Sequence, residues 1–84
     1  MQQSPYQKEA EIVERAIARL RSEEDPRLMA ELKDAQLAAA TGLEWYGMTK
    51  GFFERLLASH SLSVETRTAL EKAIHAIRVM YGSP

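Results

Sequence analysis

The sequence predicts an all-α domain, a small three- or four-helix bundle built on an N-terminal helical hairpin. Three observations carry that prediction. Apolar residues recur at spacings of three and four along each long segment, no stretch alternates apolar and polar with a period of two, and Pro, Gly and Ser divide the chain into helix-length pieces. With 84 residues there is room for one such domain over residues 1–84. Its helices are expected at about 5–22, 26–41, 44–58 and 64–81, to within a few residues at each end.

The first helix opens on Ser4-Pro5-Tyr6-Gln7, an N-cap serine with proline at the first helical position and glutamine three residues after the cap. Tyr6, Ala10, Val13, Ile17 and Leu20 form its apolar stripe, and Glu11 and Arg15 can pair across one turn. Pro26 ends it, because proline excludes the helical conformation from the residue before it.

Asp25 then caps a second helix headed by Pro26, with Leu28, Met29, Leu32, Ala35, Leu37 and Ala39 as its apolar positions. So short a connection predicts an antiparallel hairpin of helices one and two.

Gly42, Gly47 and Gly51 interrupt the middle of the chain. Each interior glycine costs roughly 1 kcal/mol relative to alanine in a helix. Either the helix stops near Thr41-Gly42 and restarts around Glu44 to Met48, or one long helix runs from Pro26 to Ala58. Gly42 suits a left-handed C-terminal cap, which favours the break. The last helix has Ser63 as N-cap, Glu65 in its first turn and Gly82 beyond its end. Leu70, Ala73, Ile74, Ile77, Met80 and Tyr81 make its stripe, and Arg67 can reach Glu71.

Composition narrows the function. Eleven basic residues against 12 acidic leave a formal net charge of −1, so no global field draws the chain to nucleic acid or to anionic lipid. No stretch approaches the roughly 18–20 apolar residues of a membrane span, and Met1 to Pro5 lacks the basic and apolar regions of a signal peptide, so the expected location is the cytoplasm. There is no cysteine, and His60 and His75 lie far apart, so neither a metal nor a cofactor is expected. A single core of this size supplies about 3–5 kcal/mol. Without disulfide or metal, a protein partner or a second copy is the expected supplement.

Trp45, Tyr46, Phe52 and Phe53 place four of the six aromatic residues within nine positions. In a helix Trp45, Met48, Phe52 and Leu56 share a face, with Phe53 and Leu57 on its flank. Large apolar side chains at helical spacing read first as core. A small bundle has difficulty covering both flanks, which makes Trp45, Tyr46, Met48, Phe52, Phe53 and Leu56 the candidate partner-binding residues of a non-catalytic interaction module. Catalysis has little support: neither histidine has an evident carboxylate or nucleophile partner, no glycine-rich phosphate loop is present, and no small-molecule substrate is implied.

Gln36-Leu37-Ala38-Ala39-Ala40-Thr41-Gly42-Leu43, followed by Met48-Thr49-Lys50, resembles the helix-turn-helix of Lac-repressor-like and Cro-like DNA-binding proteins. The segment Ala58 to Arg67 looks like the stretch after the recognition helix in the former family. The resemblance implies a transcriptional regulator that uses residues 36–55. Gln36 and Thr49 would contact phosphate or base, Lys50 would contact phosphate, and Arg55 would add a further cation. Gly51, however, falls where that family has an aliphatic core residue, and residues 34–58 carry three acids against two bases. The amphipathic hairpin is also similar in outline to small helical co-chaperones and needle subunits of bacterial type III secretion, which implies an adaptor role. An interaction module is the first expectation and DNA binding the alternative.

Overall fold

A computed structural model describes residues 6–23 and 26–82. It is a bundle of four helices, α1 (Gln7–Glu23), α2 (Pro26–Leu37), α3 (Gly42–Ser59) and α4 (Val64–Met80), with no strand among the described residues. The start signal at Ser4-Pro5 and the cap at Asp25 lie outside the described residues.

The most extensive interface joins α1 to α4. The two run antiparallel. At one end the Ser63 hydroxyl donates to the Glu23 carboxylate at 3.1 Å and Arg19 pairs with Glu65 at 3.1 Å; at the other, Ala10 of α1 and Tyr6 just before it border the same depression as Met80. These polar contacts are solvent-exposed and set register more than stability. The apolar seam behind them is fully buried: Val13, Ala16 and Leu20 from α1, with Leu70, Ala73 and Ile77 from α4. Alanines at positions 16, 73 and 76 are small enough for two helices to approach closely. The expected stripe of α1 is thereby rotated slightly, because Ala16 enters the core while Ile17 lies on its flank.

Helices α2 and α3 form a second antiparallel pair. Gln36 near the end of α2 donates its amide to the Thr49 hydroxyl at 3.0 Å, while Leu28 at the start of α2 borders the same groove as Phe52 and Leu56. Helix α2 follows α1 directly but touches it only lightly. It therefore buries a single side chain completely, Leu32, and leaves Leu28 and Met29 half-covered. Leu37, expected on the apolar face, is 73% exposed.

The middle of the chain does break, but not as a left-handed cap at Gly42. Helix α2 stops at Leu37, four residues earlier than expected, in tightened turns where Ala38 and Ala39 donate to Ala35 and Gln36 at 3.3 and 3.1 Å. Gly42 is the first residue of α3 and has no positive φ. The stop signal is Thr41-Gly42-Leu43-Glu44, a T-x-x-E start for α3. The Thr41 hydroxyl accepts from the Glu44 amide at 3.1 Å, and the Glu44 carboxylate reaches back to the Ala40 amide at 3.3 Å. Gly47 and Gly51 then sit inside one uninterrupted helix. Ser63 caps α4 by accepting from the Thr66 amide, and Gly82, at φ 74°, takes the left-handed position beyond Tyr81.

Helix α3 lies against both α2 and α4, so both of its apolar flanks are covered. Phe52, Phe53 and Leu56 join the α1–α4 seam in one core. Two substitutions test this arrangement by urea denaturation. A Cβ at position 51 meets nothing within 4 Å, so Gly51→Ala is expected to stabilise by about 0.5–1 kcal/mol. Phe53→Ala should cost about 3–5 kcal/mol, as much as a core of this size supplies, and abolish the cooperative transition.

Candidate interaction surface

The six residues expected to bind a partner divide sharply once folded. Phe52, Phe53 and Leu56 are core side chains, and Phe53 is wholly inaccessible. All three are turned to the interior, because α3 is covered on two sides. Met48 is exposed. Trp45 and Tyr46 are half-buried against the core and meet edge to face, with ring centroids 4.9 Å apart.

The DNA-contacting set also comes apart. A helix-turn-helix requires a turn near residues 42–48, and these residues are helical throughout. Thr49 is 0% exposed, and its hydroxyl donates to the Trp45 carbonyl at 2.8 Å while accepting from Gln36. Both polar groups are therefore spent inside the fold, tying α2 to α3. Lys50 pairs with Glu54 at 3.2 Å, and Glu54 also faces Arg78 at 3.6 Å. Arg55 is exposed and lies over the Phe52 ring, 5.7 Å from its centroid. Of the four, Thr49 is buried, Gln36 and Lys50 are part-buried and Arg55 is exposed.

A different cluster emerges at one end of the bundle. Tyr6 just before α1, Ala10 of α1, Gly42, Leu43 and Tyr46 at the start of α3, and Met80 at the end of α4 surround a depression of about 190 Å³. Tyr81 adjoins it, because its hydroxyl donates to the Leu43 carbonyl at 2.6 Å. All three tyrosines of the chain thus meet at this end, together with Leu43, which is 51% exposed. Tyrosine supplies apolar contact area with a polar tip, which suits surfaces that alternate between water and a partner.

Gly47 makes room for this arrangement. A Cβ there would lie 2.3 Å from the Tyr81 hydroxyl oxygen, so any larger residue must displace the tyrosine. Burial, and secondarily the negative charge of Glu14, raise the pKa of the Tyr46 phenol above its ordinary value of 10.0. Sequence reasoning identified Tyr46 but not its companions. Tyr6 and Tyr81 read as ordinary members of helical stripes, and their convergence depends on the antiparallel pairing of α1 and α4.

The histidines stand apart. The Ser59 hydroxyl donates to the Arg55 carbonyl at 2.7 Å, so its proton is directed away from His60, whose Nδ1 is 3.1 Å from it. His75 projects from the exposed face of α4. No group of three or more metal-ligating side chains exists among the described residues, and no helix there is long and apolar enough to cross a membrane. The chain matches no family model, no curated protein and no solved structure.

The tyrosine end yields two predictions. Gly47→Ala should gain helix propensity but evict Tyr81, so in urea titrations it should fall short of the stabilisation expected for Gly51→Ala. Combining it with Tyr81→Phe should give a coupling of roughly 0.5–1 kcal/mol in a double-mutant cycle. Because the Tyr46 pKa is raised on folding, the neutral phenol is the form the fold favours. Its stabilising contribution is complete below pH 10 and lost as pH rises through the folded value. Ultraviolet titration of Tyr46→Phe against the unsubstituted protein should remove a phenol that ionises above pH 10.

Proposed function

We propose that the chain is a non-catalytic protein-interaction module that docks through its tyrosine-bearing end. The observation that carries this reading is the convergence of Tyr6, Leu43, Tyr46, Met80 and Tyr81 at one end of a bundle whose two phenylalanines are closed into the core. Aromatic side chains with exposed edges, held by a rigid scaffold, lose little entropy on binding. They also contribute disproportionately to binding energy.

A second copy is the partner whose chemistry fits most simply. The face is mainly apolar and the net charge is −1, so two copies brought end to end meet little electrostatic repulsion. Pairing about a two-fold axis would bring Leu43 and Tyr81 of both copies into one self-complementary interface. A chain without cysteine is at no disadvantage in a reducing compartment, which supports a cytoplasmic role.

The test is the concentration dependence of thermal stability, together with mass from sedimentation equilibrium. Association is expected to raise Tm with protein concentration. Leu43→Asp, at a half-exposed position outside the core, should abolish that dependence while leaving the helical signal intact. A chain that stays monomeric throughout, with Leu43→Asp indistinguishable from the unsubstituted protein, would overturn the reading.

A further inference from the structure

Helix α1 spends its apolar seam on α4 and touches α2 only lightly, which leaves a groove between α1 and α2. Its floor is Ile17 and Met29, both half-covered, above the buried Leu32. Its rim carries Arg21 from α1 and Lys33 from α2, both exposed, together with Gln36. The groove encloses about 470 Å³.

The two charged side chains described along it are both cations. Among the described residues no carboxylate lines it, although the chain has more acids than bases. Glu31 of α2 borders the groove on the opposite side of that helix, facing α3. Among the described residues neither Arg21 nor Lys33 takes part in an ion pair, whereas Arg19, Lys50 and Arg78 all do. An apolar channel between two helices with cations on both banks is complementary to an amphipathic helix that carries leucine-like residues on one face and carboxylates beside them. A nucleic acid would satisfy the cations but leave the Ile17–Met29 floor uncovered.

We infer that the α1–α2 groove is a docking site for an acidic amphipathic helix of a partner protein. The site shares no residue with the tyrosine end and stands independently of the function proposed for it. Its occupant would complete the α1–α2 interface that the chain itself leaves open.

The probe is a fluorescein-labelled synthetic helical peptide with leucines at helical spacing flanked by glutamates. It is compared by anisotropy with a counterpart in which lysine replaces every glutamate. The full chain should bind the glutamate peptide more tightly than the lysine peptide, and less tightly as salt rises. Reversing both rim charges with Arg21→Glu and Lys33→Glu should weaken the glutamate peptide by about tenfold and strengthen the lysine peptide. Both positions are exposed, so circular dichroism should be unchanged. Met29→Gln, which keeps side-chain length but makes the floor polar, should weaken binding without altering the charge preference. Leu43→Asp should leave peptide affinity unchanged, which separates this site from the tyrosine end. Absence of binding, equal affinity for the two peptides, indifference to the double charge reversal, or displacement by duplex DNA as effective as by unlabelled peptide would each overturn the inference.

Discussion

The antiparallel packing of α1 against α4 is the constraint on which the rest of the structure depends. Val13, Ala16 and Leu20 meet Leu70, Ala73 and Ile77 in a seam without exposed area, joining the two outermost helices of the chain. Only after that closure do Phe52, Phe53 and Leu56 of α3 have a surface to bury against, and only then does Leu32 of α2 reach the shared core. The contacts that close the bundle are distant in sequence, as Arg19 with Glu65 and Glu23 with Ser63 illustrate. Much of the loop-closure entropy must therefore be overcome before the main core is formed.

This arrangement spends apolar surface unevenly. Helix α4 is buried at seven positions along its length, whereas α2 buries one, so the lightly covered flank of α2 is where the domain remains incomplete. At the opposite extreme, α3 lies between two neighbours and has one polar side chain sealed within it. Thr49 survives there because its hydroxyl is used twice, by the Trp45 carbonyl and by the Gln36 amide. No buried side-chain nitrogen or oxygen among the described residues lacks a partner. A bundle with a satisfied interior and an uneven exterior suits a part whose work is done at its surface.

The two surface features differ in kind. The tyrosine end is an aromatic cluster held by a specific close approach, the Tyr81 hydroxyl over Gly47. The α1–α2 groove is an apolar channel banked by cations. On the proposed reading the two faces divide the work, one pairing copies and the other taking a helix from elsewhere.

Local chemistry was legible in the residues themselves. Helical periodicity, the Ser63 cap, the Gly82 stop and the stripe from Leu70 to Met80 follow from side-chain spacing and backbone preference. The break before α3 was also readable, although its signal was the Thr41–Glu44 start rather than Gly42, because capping bonds between neighbours depend on local sequence alone. The tertiary structure decided which stripe meets which. Phe52 and Phe53 look the same in sequence whether they face a core or a partner; the choice was made by α4 closing over α3. Gln36 and Thr49 resemble DNA contacts until the α2–α3 pairing brings one amide to one hydroxyl. The tyrosine end has no sequence signature, because it is assembled from residues tens of positions apart, and the α1–α2 groove stays open because α1 packs mainly on α4; both are properties of packing.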